Sequence, residues 1–379
     1  MDSTLVTLIM QNYNTPLDKL YVAVNSVINQ SYNNIAFIFI DDWSTDYDID
    51  EVFNTIKEKW NQIRSDTLLD LVKKPQSGYQ DEVDHNHGHS FCRNWGLDLV
   101  RTKHDSEYVM FADSDDELIP NCIELLYNNM QKDNADISIG NFTRDEVRWC
   151  QCKDNYFDNV NDTIEQEETN FQSCNKLTAL RYLCDPYMLP GNRLTGPSIP
   201  FCATWNKIFK LSLFDDVKFP SGYNRDDNFT AHRLLWNAKK VVFTQELTYF
   251  YRPGGNLADS NLYKSIDIVY AHRDRINFFE EVFPREEDIT SDNANDLYEM
   301  YNIMNNERRI YLFTMMQVYT KINNSMDMID ILDEIKYCIN KWKKELLTHS
   351  ADLPFIKLCV KWLEDRQGDF DNEKSNDIH

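Results

Sequence analysis

The chain has 379 residues, with 39 Lys and Arg against 62 Asp and Glu and a net charge of −23. It has no basic pole, so it lacks the clustered cations that nucleic acid or a bare anionic membrane requires. A hydrophobic content of 42%, with 13% aromatics, marks a globular chain long enough for two domains.

In chain order, residues 4–10 (TLVTLIM) form a short β-branched apolar run that predicts a buried strand. Residues 17–30 place Leu20, Val24, Val27 and Ile28 at helical spacing. The run Ile35 to Ile40 predicts a second buried strand, ending at Asp41-Asp42. It is the longest uncharged apolar run, and its six residues fall far short of the roughly 20 that span a bilayer. Residues 48–64 predict a helix with Val52, Phe53, Ile56, Trp60 and Ile63 on one face, and residues 68–72 a third strand. Ser90 to Leu99 reads as a helix, Tyr108 to Ala112 as a strand running into Asp113, residues 120–132 as a helix behind Pro120, and Asp136 to Ile139 as a strand. Such alternation implies a mainly parallel α/β sheet, whose ligands bind beyond the carboxyl ends of the strands. Residues 145–200 look irregular and fit a lid or an insertion on the acceptor side. From residue 262 the pattern turns helical throughout, over 262–283, 298–321, 327–347 and 353–366. Asp2 and the lack of a basic N-terminal stretch argue against a secretory signal. The nine irregularly spaced cysteines read as reduced thiols. The expected location is cytoplasmic, or peripheral to a membrane through a partner.

The densest chemical signal is Phe111-Ala112-Asp113-Ser114-Asp115-Asp116 at the end of an apolar strand. Crowded carboxylates repel unless a cation sits among them. Hard oxygen ligands suit Mn2+ or Mg2+, which would in turn hold a diphosphate. The alternatives are a solvated acidic turn and a calcium loop, but the latter would need glycine where Leu118 stands.

Other segments accompany it. Gln11-Asn12-Tyr13-Asn14 follows the first strand, and the segment from Ser26 to Tyr32 (SVINQSY) closes the first helix. Asp41-Asp42-Trp43-Ser44-Thr45-Asp46 ends the second strand, and Gly88-His89-Ser90 leads to Arg93-Asn94 and Gly96-Leu97. Trp205-Asn206-Lys207, then Phe219-Pro220 with Gly222 and Asp226-Asp227, and finally Tyr251-Arg252 complete the series. In this order the chain resembles the family 2 glycosyltransferases of the GT-A fold. Their motifs read P-x-Y-N, S-V-L-x-Q-T-Y, D-D-G-S-T-D, G-x-S-x-A-R-N-x-G-L, D-x-D, W-x-K, F-P-x-G with a Glu-Asp pair, and Tyr-Arg.

The resemblance implies a GT-A nucleotide-diphospho-sugar transferase domain over 1–261, a mainly parallel sheet flanked by helices. It is followed by an α-helical C-terminal domain, 262–379, suited to acceptor binding or to a homo-oligomer. It implies a metal-dependent, inverting transfer from a nucleotide-sugar, a UDP-sugar in most of the family, to a hydroxyl of a glycan, glycolipid or glycoprotein. Asp227 would be the general base, or else an N-cap for the following helix. Asp42, with Asp41 or alone, would meet the nucleotide base; the other reading is a turn pair or N-cap. Tyr13 would stack near that base, or be a core tyrosine. Arg93 would contact the donor sugar or diphosphate, with Asp113 and Ser114 at the ribose or sugar. Asp115 and Asp116 would sit at the metal. Arg252 and the turn Pro253-Gly254-Gly255 would close over the diphosphate, against a plain hairpin. Lys207, His232 and Asp226 are further candidates, with a salt bridge and a structural histidine as the simpler readings of the first two.

Three positions depart from the family: Gln11 for Pro, Trp43 for Gly, and Asp226 for Glu. With Trp there, the turn after Asp42 is not expected to need a left-handed glycine. A non-catalytic nucleotide-sugar or glycan-binding module on the same fold is the alternative. A nucleotidyltransferase would need a Gly-rich basic phosphate loop that is missing here.

Overall fold

The computed structural model describes residues 4–64, 67–73, 87–161, 171–184, 199–254, 262–284, 294–319, 331, 333–342, 357 and 359–361. The chain divides into two compact units, Met1–Asp259 and Ser260–His379.

The apolar runs become the parallel half of a nine-stranded sheet. Strands β1 (Val6–Asn12), β2 (Ile35–Asp41) and β4 (Tyr108–Asp113) are buried almost throughout. Strand β3 (Leu69–Lys73) is half-buried beside β2. Such runs carry no polar face, so helices must cover both sides. Helices α1 (Leu17–Ile28), α2 (Ile49–Ile63), α3 (His89–Lys103) and α4 (Cys122–Lys132) supply part of that cover. In α2, Val52, Ile56 and Trp60 are buried as expected, with Trp60 stacked on Phe37 at 5.7 Å. Ile63, expected on the same face, is exposed at the helix end.

The register decides the chemistry. Because β1, β2 and β4 run parallel, their carboxyl ends share one edge. Asn12 lies opposite Asp41, and Gln11 opposite Asp113.

Beyond β4 the sheet turns mixed. Its order is β3-β2-β1-β4-β8-β6-β9-β5, and β7 pairs with β9. Here β5 is Glu117–Leu118, β6 Ile137–Thr143, β7 Phe171–Asn175, β8 Lys207–Lys210 and β9 Lys240–Phe250. The junctions β4–β8 and β8–β6 are antiparallel, so β6 again ends on the edge where β4 ends. The segment expected to be irregular holds α5 (Glu146–Asn161), β7, α6 (Lys176–Cys184) and α7 (Ile199–Cys202) among its described residues. Residues 162–170 and 185–198 lie outside them. Helix α5 hid its period because its inward face is mixed. Asp145 accepts the Val147 and Arg148 N–H groups at its start, and Trp149 stacks on Phe250 at 5.8 Å. Helix α8 (Asp226–Asn237) follows the F-P-x-G segment.

Gly96 lets α3 lie directly on β1. A Cβ there would sit 2.7 Å from Ile9 Cγ2, a stiff β-branched carbon. Gly96→Ala is therefore expected to cost about 1–3 kcal/mol in chemical denaturation; an unchanged midpoint would mean the helix can lift off the strand.

In the second unit, α9 (Leu262–Val282) and α10 (Ala294–Tyr319) pack together. Between them the buried Glu307 meets His272 Nδ1 at 2.5 Å and Arg275 Nη1 at 3.1 Å. Residues 333–342 and 359–361 are helical; most of the two last expected helices lies outside the described residues. Among the described residues no helix is long and apolar enough to cross a membrane.

Candidate functional site

Helix α3 organises the site. Gly88, with φ 87°, turns the chain into its first turn. On its inner face Ser90, Arg93, Asn94 and Leu97 recur at i, i+3, i+4 and i+7. Ser90 Oγ donates to the Pro220 carbonyl at 2.6 Å and to Asp226 at 3.2 Å. Asn94 exchanges two hydrogen bonds with the Phe219 backbone, at 2.8 and 3.0 Å. This motif thus ties down the segment that delivers Asp226 and Asp227.

Arg93 is buried and lies over the Phe219 ring at 5.5 Å. Its Nη1 donates to both Asp226 oxygens, at 2.6 and 2.7 Å, and its Nη2 reaches Asp113 Oδ1 at 3.4 Å. Burial works against its charge, but Asp226, Asp113 and Asp227 hold its pKa above the ordinary guanidinium value. Arg93 therefore joins the end of β4 to the start of α8. The half-buried Asp227 is held above the ordinary carboxylate range, first by burial and then by Asp226, with Arg93 and Asn228 pulling the other way.

Asp113 also accepts Gln11 Nε2 at 2.7 Å, so the residue that replaces proline orients this carboxylate. The Asp113 N–H donates to the buried Tyr249 hydroxyl at 3.1 Å. Asp116 accepts the Arg252 N–H at 2.8 Å, while Arg252 Nε donates to the Asp115 carbonyl at 2.9 Å. Burial foremost, then neighbouring carboxylates, raises the pKa of Asp115, and that of Asp116 further. Ser114 meets Thr15 at 2.7 Å. A platform of rings adjoins them: Trp205 stacks on Tyr249 at 4.7 Å and on Tyr251 at 5.2 Å, and Arg144 covers Tyr251 at 4.6 Å. Gly254 has φ 83°; Gly255 lies outside the described residues.

The Asp41-Asp42 pair serves the backbone. Asp41, fully buried, accepts Asn12 Nδ2 at 2.8 Å and the Ser44 N–H at 3.1 Å. Asp42 accepts the His87 N–H at 2.8 Å and the Gly88 N–H at 2.7 Å, anchoring the entry to α3. This is the turn-and-cap arrangement. Trp43 corrects an expectation. It adopts φ 67°, the left-handed region that a glycine would fill, because Asp41 grips Ser44 across it. Tyr13 is 41% exposed on the adjoining loop.

Two further candidates are closed to solvent, although Asp227 lies near enough to Lys207 to act on its charge. His232 is fully buried in α8, so no substrate can reach it without moving the helix. Lys207 is 2% exposed, donates to the Ala203 carbonyl, and burial pushes its pKa down to about 7. Tyr249, Gln11 and Ser90 had no site role in the sequence reading. Register could have singled out Gln11, one strand from Asp113; nothing local marks Tyr249.

The residues fit a divalent cation. Asp115 and Asp116 are carboxylates whose ionisation burial and mutual repulsion oppose, which an adjacent cation relieves. Among the described residues no group of three or more His, Cys, Asp or Glu side chains forms a ready-made cage. That suits an ion held by one or two carboxylates together with substrate phosphates.

Residues 81–218 match the family model described as glycosyl transferase family 2. The span includes Arg93 and the acidic motif and stops short of Asp226 and Asp227. Over 254 residues, 66% of this chain and 71% of the relative, the sequence is 28% identical to glycosyltransferase GlyG of Streptococcus pneumoniae. Over 139 residues, 36% of each protein, it is 34% identical to the poly(ribitol-phosphate) beta-N-acetylglucosaminyltransferase TarP of Staphylococcus aureus. The crystal structure of S. aureus TarS 1-349 in complex with UDP-GlcNAc superposes with a TM-score of 0.55. It covers 96% of this chain and 92% of that one at 14% identity, a likeness of fold.

Proposed function

The chain belongs to glycosyl transferase family 2 and is a glycosyltransferase, and from that premise we propose a metal-dependent, inverting enzyme that uses a UDP-sugar. One observation carries the reading. The buried Arg93 bridges Asp226, neighbour of the proposed base, to Asp113 at the donor-side strand end. Base and donor acids thus belong to one rigid constellation. The UDP-GlcNAc complex of a protein of like fold supports the choice of donor.

In this reading Asp227 accepts the proton of the acceptor hydroxyl as that oxygen bonds to the anomeric carbon. The bond from that carbon to the diphosphate oxygen breaks, and the nucleoside diphosphate leaves. Displacement from the opposite face inverts the anomeric configuration. Mn2+ or Mg2+, held by Asp115 and Asp116, would supply positive charge to the departing diphosphate. Arg252, fixed by Asp115 and Asp116, adds a guanidinium there. Tyr13 stacks near the base, and Asp41 and Asp42 position the base loop. Asp113 and Ser114 line the ribose or sugar. Tyr251 under Arg144 forms the acceptor platform, for a glycan, glycolipid or glycoprotein hydroxyl, and the second unit serves acceptor binding or a homo-oligomer.

The test is UDP release from a panel of UDP-sugars with Mn2+ and with EDTA. Asp115→Asn is expected to weaken Mn2+-dependent UDP binding by about tenfold or more. UDP binding indifferent to both EDTA and Asp115→Asn would overturn the metal assignment.

A base must be ionised to act. Because Asp227 is held above its ordinary value, kcat/KM is expected to fall as pH drops through that raised pKa. The acid limb of the profile should then lie above the ordinary carboxylate value of about 4. A profile flat down to that value would contradict the base assignment.

A further inference from the structure

Away from the carboxylates, the first unit holds a cavity of about 700 Å³ between α5, the start of α4 and the strand residues Glu246-Leu247 of β9. Its volume lies within the roughly 300–1,000 Å³ of ligand pockets. None of its lining residues belongs to the donor-side cluster. Helix α5 presents one face to it, with Gln151, Asn155 and Tyr156 following Arg148 at turn spacing; Glu124 and Glu246 stand among the other walls. The floor is apolar, with Ile119, Leu125 and Leu247.

This lining selects a ligand class. A phosphate or carboxylate would meet two glutamates against a single arginine, so an anion is disfavoured. A purely apolar ligand would strip water from amides and carboxylates without replacing its hydrogen bonds. Side-chain amides carry a donor and an acceptor side by side, which matches paired hydroxyl groups. A tyrosine ring offers an apolar body with a polar tip, suited to the face of a sugar ring. We propose that this cavity is a second carbohydrate site, separate from the donor site, that holds a neutral oligosaccharide. A glycan chain anchored there would raise the effective concentration of its own hydroxyls at the enzyme. That consequence rests on the transferase reading; the binding itself does not.

The experiment is calorimetric titration of the full chain with maltotriose, cellotriose and chitotriose, repeated in excess UDP and with the Asp227→Asn protein. Gln151 and Asn155 are exposed, so Gln151→Ala with Asn155→Ala should leave the melting temperature unchanged. At least one trisaccharide is expected to bind, equally well with UDP present and with Asp227→Asn. The double variant should weaken that binding by about tenfold or more. Absence of binding by all three, binding abolished by UDP, or a double variant that binds like the parent would overturn the proposal. Loss of transfer in Asp227→Asn reports on the transferase reading alone.

Discussion

Asp227→Asn is expected to lower the rate of transfer by about 10²–10⁴-fold, the usual contribution of a positioned general base. The amide keeps the shape and the start of α8 but cannot take up the acceptor proton. Its neighbour Asp226 cannot substitute, because both of its oxygens are held by Arg93 Nη1 at 2.6 and 2.7 Å. UDP affinity should stay within about twofold, since no donor-side bond is lost. Single-turnover transfer with parallel UDP titration separates the two effects. A variant with near-parental transfer would remove Asp227 from the mechanism.

Asp226→Ala is expected to cost about 3–5 kcal/mol of stability, because it strands a buried guanidinium. The remaining Arg93–Asp113 contact, at 3.4 Å, is longer and to a more exposed partner. Replacing both members, as Arg93→Leu with Asp226→Leu, should cost less than the sum of the single changes, since no charge is then left alone in the interior. The exposed pair Lys73–Asp50, at 2.6 Å with side chains 39% and 65% accessible, is the control. Its removal should cost under about 1 kcal/mol. Urea unfolding of the parent, Asp226→Ala, the two single leucine variants, the double variant and the control measures the contrast. A cost for Asp226→Ala no larger than for the Lys73–Asp50 control would mean that water reaches Arg93.

The parallel half of the sheet was legible because strands buried on both faces must be written in Val, Ile, Phe and Leu, as 35–40 is. The helix carrying Ser90, Arg93 and Asn94 was legible for its periodicity, but its purpose was not. Arg93 and Asp226 lie 133 positions apart; the first was expected at the donor, and the second was a further candidate without a role. Only folding shows that Arg93 Nη1 holds Asp226 while its Nη2 reaches Asp113. Tyr249 was hidden for the same reason, 136 positions from the Asp113 N–H it accepts. Asp41 and Asp42 stood where the family places a base contact, yet both carboxylates serve N–H groups and the Asn12 amide that no local pattern announces. His232 had the spacing to face the site, but α8 turns it into the core. Helix α5 escaped because a face that sets Arg148, Gln151 and Asn155 beside Cys152 and Tyr156 has no clean apolar stripe.

The most direct test of the account is the anomeric configuration of the first product. With the UDP-sugar that the enzyme turns over and an acceptor hydroxyl, proton NMR of the glycoside formed resolves the transferred sugar's anomeric signal. Direct displacement assisted by Asp227 predicts that the configuration is opposite to that of the donor, and that the signal disappears in Asp227→Asn. A product that keeps the donor's configuration would contradict it.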